Sequence, residues 1–288
     1  MAKVTDCCFE ATGHTTVICD FSPPRSGDTA ALSQAAIPAN FISVAYNPGK
    51  SVRANSPMTA ASIKNGMGYE VVFTLATRDM NKLALESQML GAQILGLENV
   101  VIVQGDLFNE RDLTQVKDVR DFSPTGLISA IAGMNSGIDF KGTKLRQPTD
   151  FCIGATVDLG LGTEREAHLA YRKVQSGAEF LISQPIFAST EARRFQQAYT
   201  NVSGEPLACP VFFGLQVLEP DGIIFSSVPE SVRDELKGGR GGVDIAIEIY
   251  EEFQDAGIHN IYLVPPIRRG GARNYAAARE FLDQAKRL

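Results

Sequence analysis

Several carboxylates and amides in this chain stand where apolar runs end, the place from which a side chain leaves a core and meets a ligand. Asp20 follows Val17-Ile18-Cys19 and precedes Phe21-Ser22-Pro23-Pro24-Arg25. A carboxylate there is costly to enclose unless something uses its charge; a turn hydrogen bond or an ion pair with Arg25 is the plain alternative. Asp106 comes after Val100-Val101-Ile102-Val103-Gln104-Gly105, Gln184 sits before Pro185, and Gln216 ends Val211-Phe212-Phe213-Gly214-Leu215. Tyr46-Asn47, Thr77-Arg78-Asp79 and Asp158 occupy equivalent places. A buried amide needs partners, and Pro185 offers no N–H. Asp106 reads otherwise as a Gly-Asp turn residue, Asp79 as a cap for a following helix, and Tyr46 and Phe187 as rim aromatics that either stack on a ligand or simply pack.

The three histidines (His14, His168, His259) and five cysteines (Cys7, Cys8, Cys19, Cys152, Cys209) show no metal-ligand spacing and no Cys-x-x-Cys. No nucleophilic Ser or Cys is paired with a His. The set therefore speaks against acyl transfer and metal-assisted hydrolysis. It suits recognition of a polar heterocycle by amides and carboxylates while a cofactor supplies the chemistry.

The elements that must carry these groups are legible as alternation. β-Branched and aromatic runs occur at 16–21, 41–45, 70–75, 99–103, 151–155, 180–183, 211–214 and 260–264. Helical patterns fill most of the gaps, at 57–66, 80–96, 124–137, 164–177, 190–199, 243–256 and 273–288. In the stretch 80–96, Leu83, Leu90 and Ile94 share one face, and Gly91 and Gly96 allow close packing or an ending. Continuous apolar strands imply a parallel sheet covered on both faces. The expectation is one (β/α)8 TIM barrel over residues 1–288, with chemistry at the C-terminal ends of the strands. An open doubly wound sheet is the runner-up. Gly238-Gly239-Arg240-Gly241-Gly242 follows a charged helical segment rather than a strand, so it reads as a connection and not as a nucleotide loop.

With 288 residues and 44% hydrophobic residues the chain can bury a large core. Its net charge of −6 and its lack of a long Lys/Arg run argue against a nucleic-acid face. No signal-like start or membrane-length apolar run is present, so a soluble cytoplasmic protein is expected.

Several segments resemble the methylenetetrahydrofolate reductase family. Asp20-Phe21-Ser22-Pro23-Pro24-Arg25 is similar to that family's Phe-Glu-Phe-x-Pro-Pro-Arg opening. The similarity continues through Phe41-Ile42-Ser43-Val44, Arg78-Asp79-x-Asn81 and the block from Leu90-Gly91-Ala92 to Gly105-Asp106, which most resembles the form fused in some bacteria to a homocysteine methyltransferase. Lys173-Val174-x-x-Gly177-Ala178-x-Phe180-x-Ile182-x-Gln184-Pro185 is a second block, and Gly257-Ile258 with Pro265-Pro266 a fainter one.

The resemblance implies a barrel enzyme that reduces 5,10-methylenetetrahydrofolate to 5-methyltetrahydrofolate, with FAD relaying hydride from NADH or NADPH. It places Asp20 as the acid toward folate N10 and Asp106 between flavin and folate. Gln184, with Phe187 and Gln216, falls on the substrate side; Tyr46, Thr74, Arg78, Asp79, Glu166 and Lys173 fall on the cofactor side. Arg25, Arg78 and Arg268 either meet a phosphate or a glutamate tail or are ordinary barrel-rim charges. The residue spacing offers no metal site, and a homo-oligomer or a partner subunit is left open. Asp20 departs from the family's Glu and is one methylene shorter, about 1.5 Å. Thr74, Ala76, Gln104 and the segment 155–160 also depart, more on the flavin side than on the pterin side. A flavin-independent reductase, an enzyme of another tetrahydropterin, and a non-catalytic folate- or flavin-binding helper are the alternatives.

Overall fold

Eight parallel strands close into a barrel in chain order, β1 (Thr16–Phe21), β2 (Phe41–Val44), β3 (Val71–Ala76), β4 (Asn99–Val103), β5 (Cys152–Val157), β6 (Phe180–Pro185), β7 (Val211–Gln216) and β8 (Asn260–Val264), with β8 pairing back onto β1. The computed structural model describes residues 2–10, 15–223, 228–268 and 270–288, without the side chains of Phe9 and Glu10. His14 thus lies outside the described residues.

The helices are α1 (Val4–Glu10), α2 (Ser56–Met67), α3 (Lys82–Ile94), α4 (Glu110–Leu113), α5 (Pro124–Asn135), α6 (Thr163–Gln175), α7 (Ser189–Ser203), α8 (Glu230–Lys237), α9 (Gly242–Asp255) and α10 (Tyr275–Ala285). The β1–β2 connection carries a 3₁₀ segment, Thr29–Ala35, in place of a helix. The expected barrel is thereby met.

Strand side chains alternate between two cores. Ile18, Phe41, Val72, Val101, Cys152, Phe180, Ile182 and Phe212 fill the barrel interior. Their sequence neighbours, such as Cys19, Ile42, Phe73 and Ile102, pack outward against the helices. Gly154 is fitted to this interior: a Cβ there would lie 2.3 Å from the Phe180 ring. The N-terminal end is stoppered by α1, an element the sequence reading did not find. Val4 joins the interior cluster, its N–H donates to Asn99 Oδ1 at 2.9 Å, and Asn99 Nδ2 donates back to Ala2 O at 3.0 Å. With the bottom closed, the open end is the mouth formed by the strand C-termini.

Two helix expectations need correction. Leu83, Leu90 and Ile94 face solvent, whereas Leu85, Met89 and Ala92 face the barrel. The helix is apolar on both sides, so periodicity alone could not choose the buried one. Asp79 does not cap α3; Asn81 does, accepting from the Ala84 N–H at 2.9 Å. Gly96, at φ +77°, follows the end of α3, a left-handed conformation that glycine adopts at no steric cost.

Candidate active site

The mouth holds a cavity of about 390 Å³, a volume within the range of small-molecule sites. Asp20, Tyr46, Arg78, Asp106 and Gln184 line it, together with Tyr262 and Arg273, which the sequence reading did not single out. Residues from β1, β6 and β8 and from the loops after β2, β3 and β4 thus converge, as the barrel geometry dictates.

Asp20 is 6% exposed, and both its oxygens are engaged. Oδ1 accepts from the Tyr262 hydroxyl at 3.1 Å, and Oδ2 accepts from Arg273 Nε at 2.9 Å. Burial works against the Arg273 charge, but Asp20 outweighs it and the guanidinium's pKa is raised. Burial, reinforced by Asp20, pushes the Tyr262 phenol well above its ordinary value. The partner of Asp20 is therefore Arg273 and not Arg25. Tyr262 was hidden because it reads as one more core aromatic in β8; its inward register on that strand was the available signal. Arg273 was hidden because it reads as the first residue of the last helix, which in fact starts after Asn274 caps it.

Arg78 ties two loops together. Its Nε and Nη2 donate to Asp79 at 2.6 and 2.8 Å, its Nη1 donates to Asp106 O at 2.7 Å, and its guanidinium lies 4.1 Å from the Phe108 ring centroid. Burial first, then Asp79, pushes the Tyr46 phenol up to about 12. The loop after Tyr46 is held in an uncommon backbone, with Asn47 and Lys50 at φ 38° and 57°. Non-glycine residues in that region are enriched at functional sites. Lys50 anchors the loop through an ion pair with Asp112.

By contrast, the side chains of Gln184 and Asp106 make no hydrogen bond or ion pair with other described side chains or backbone. An uncommitted amide and an uncommitted carboxylate face one cavity, an arrangement that matches a heterocycle bearing both donors and acceptors on its edge.

Other candidates lie elsewhere. Gln216 is buried, and its Nε2 donates to Ile223 O at 3.0 Å. Phe187 packs in the shell between barrel and helices. Neither lines the mouth cavity, nor do Thr74, Asp79, Glu166 and Lys173. Lys173 borders a recess of about 200 Å³ with Gln104, Ser123 and Thr156, and Val103 and Thr156 line both it and the mouth cavity. Its Nζ donates to Thr156 O at 2.5 Å, and burial lowers its pKa, with Glu166 opposing. Glu166 accepts the Asp158 N–H at 3.0 Å.

The cofactor-side groups can be tested against FAD on this geometry. Tyr46, Arg78 and Asp106 open onto the mouth, but Lys173, Glu166 and Asp79 are each met by protein partners. Lys173 stands off the mouth, at the recess that adjoins it, and no chemical step is derived through a dinucleotide.

The fold and site define the class: a closed (β/α)8 barrel with a polar cavity at its C-terminal mouth. The model for methylenetetrahydrofolate reductase matches residues 8–219, well over half of the sequence, and the chain belongs to that family. A folate-related, reductase-like function follows at that coarse level. No curated protein matches the chain. Among solved structures, an uncharacterized protein from Clostridium thermocellum, described as binding two copies of 5-methyl-5,6,7,8-tetrahydrofolic acid, superposes with a TM-score of 0.64 at 14% identity, over 95% of this chain and 96% of that one. The 2,3-dimethylmalate lyase of the PEP mutase/isocitrate lyase superfamily superposes with a TM-score of 0.53 at 14% identity, over 100% of this chain and 89% of that one. At such identities these likenesses speak for the barrel alone. No described helix is long and apolar enough to cross a membrane.

Proposed function

We propose that the mouth binds a tetrahydrofolate by its pterin and that the chain reduces 5,10-methylenetetrahydrofolate to 5-methyltetrahydrofolate with NADH or NADPH. The observation that carries this reading is the pair of uncommitted groups, Gln184 and Asp106, in the cavity that also holds Asp20. Gln184 and Asp106 hydrogen-bond the pterin edge and fix its orientation. The hydride adds to the methylene carbon, the bond from that carbon to N10 breaks, and N10 takes the proton of the Tyr262 hydroxyl, which Asp20 orients as its acceptor and solvent then replaces. Arg273 holds the Asp20 carboxylate in place for that step. FAD is what the family resemblance implies as the relay between nicotinamide and folate. The commitment of Lys173, Glu166 and Asp79 to protein partners favours direct transfer from the nicotinamide.

The test is anaerobic oxidation of NADH and of NADPH by the purified protein with methylenetetrahydrofolate, with and without added FAD, and with 5-methyltetrahydrofolate quantified. Turnover without flavin supports the direct route. Turnover only with flavin restores the relay. Folate binding without turnover under either condition refutes the reductase reading. It would then leave a helper that holds a reduced folate, a reading favoured by the engagement of both Asp20 oxygens and by what the Clostridium thermocellum protein is described as binding.

A further inference from the structure

Leu83, Leu90 and Ile94 turn outward on α3, where a barrel helix ordinarily carries charge. Ile94 is 86% exposed, and Leu95 beyond it is exposed as well. On the neighbouring α2, Met58 is 66% exposed. The two helix ends are tied by Asn65 Nδ2, which donates to Leu95 O at 3.4 Å. No free charge interrupts this face. The charged residues of α2 and α3 are Lys64, Lys82 and Glu86, and each is turned to a protein partner. Lys64 pairs with Glu70 and Glu98 at 2.8 and 3.1 Å, and the Lys82 ammonium lies 5.0 Å from the Phe122 ring centroid. Glu86 is buried and accepts the Phe140 N–H at 3.1 Å. On the other side of α3, α5 has no charged residue. Small residues between the large ones leave grooves: a Cβ added at Gly66 or Gly91 would meet nothing within 4 Å.

Other barrel helices differ. α6 exposes Glu164, Arg165 and Arg172, and α9 exposes Asp244, Glu248, Glu251, Glu252 and Asp255 with no base among them. A solvated helix keeps its outer face charged, so an uncharged, partly apolar arc over three neighbouring helices is a surface to be covered. Its chemistry also points to the cover. The chain has a net charge of −6, and two copies meeting through α9 would set acids against acids. Along the α2–α3–α5 arc two copies meet without opposing or desolvating a free charge, and each offers the ridges and grooves that the other needs. The size agrees. Helices of 12 or 13 residues are about 20 Å long and pack about 10 Å apart, so the arc measures about 20 by 25 Å. A symmetric pair covers roughly 1,000 Å² in total, the area at which a specific interface begins.

We propose that α2, α3 and α5 form the two-fold interface of a homodimer, with α3 of each copy packed against α3 of the other. The contact lies on the flank of the barrel, so both mouths stay open. The pairing is independent of what the mouth binds.

Sedimentation velocity of the purified full chain tests it, with hydroxyl-radical oxidation of Met58 as a second readout. Wild type is expected to be dimeric at about 100 μM, where a Kd of about 10 μM leaves most of the chain paired. Met58 labelling is expected to fall as the protein is concentrated to that level. Leu90→Glu and Ile94→Glu each place a charge and its symmetric copy in the contact. Each is expected to weaken pairing by roughly tenfold or more. Their thermal midpoints should hold, because both side chains are exposed. Glu251→Gln on α9 should leave pairing unchanged. A monomer at about 100 μM overturns the proposal, whichever other protein the face then takes up. So does a dimer that survives both α3 substitutions, and so does one in which Met58 stays as open to labelling as in the dilute protein.

Discussion

Arg273 Nε stands 2.9 Å from Asp20 Oδ2, joining a strand-end carboxylate of β1 to a cation from the loop after β8, with side chains only 5% and 8% exposed. The charge of each is acceptable in that enclosure because of the other. A buried pair is a weak argument for net stability, but removing one member leaves an uncompensated charge.

Arg273→Gln is therefore expected to lower stability by about 3–5 kcal/mol, the usual cost of breaking a buried pair. Combining it with Asp20→Asn should cost less than the sum of the two single variants, with a coupling of about 0.5–3 kcal/mol. Urea unfolding of the four proteins measures this directly, and strict additivity would show that the two groups do not interact.

Gln184→Ala and Asp106→Ala separate binding from folding. Neither side chain makes a hydrogen bond among the described residues, so unfolding midpoints should stay close to wild type. Loss of a neutral hydrogen bond at Gln184 corresponds to about 0.5–1.5 kcal/mol and loss of a charged one at Asp106 to about 1.5–3 kcal/mol. Titration calorimetry with a reduced pterin should show roughly tenfold and up to about hundredfold weaker binding respectively. Unchanged affinity in both variants would remove the pterin from this cavity.

Gly154→Val probes the barrel interior. The added bulk meets Phe180, whose ring centroid lies 6.1 Å from that of Phe212 in an edge-on contact. Overpacking of this kind typically costs about 1–3 kcal/mol. A thermal midpoint matching wild type would contradict the packing described.

Glu219 supplies a pH dependence. Its hydrogen bonds from Arg268 hold the carboxyl below its ordinary 4.5 against the effect of burial, with Asn274 assisting. A depressed carboxyl contributes stability above its unfolded value, and that contribution is lost as pH falls through the lower folded value. The links from the β7 loop to Arg268 and Asn274 should therefore loosen below about pH 4.5 in wild type. Amide exchange around 219 and 268–274 should rise in acid, and Glu219→Gln should show the raised exchange already at neutral pH.

Much of the scaffold was open to reading because its strands are buried on both faces and its helices are separated by turn-forming residues. The run at 99–103 is β4 as it stands, and 16–21 is β1. The side of α3 that packs was not readable, because Leu83, Leu90 and Ile94 compete with Leu85, Met89 and Ala92 on equal terms. α1 was missed because seven residues carry too little periodicity, and Val4 matters only once a barrel exists to be stoppered.

Sequence by itself determined that Asp20, Asp106 and Gln184 end up at the mouth, but not that Tyr262 and Arg273 join them. A parallel barrel collects strand ends, so Asp20, Asp106 and Gln184 had to meet there once the eight runs were recognised. Only tertiary structure decided what each of them faces. Arg273 is 253 positions from Asp20, and Arg53 reaches the loops after both β1 and β8. No local pattern encodes such distances, because a charge finds its partner only after the chain has closed on itself.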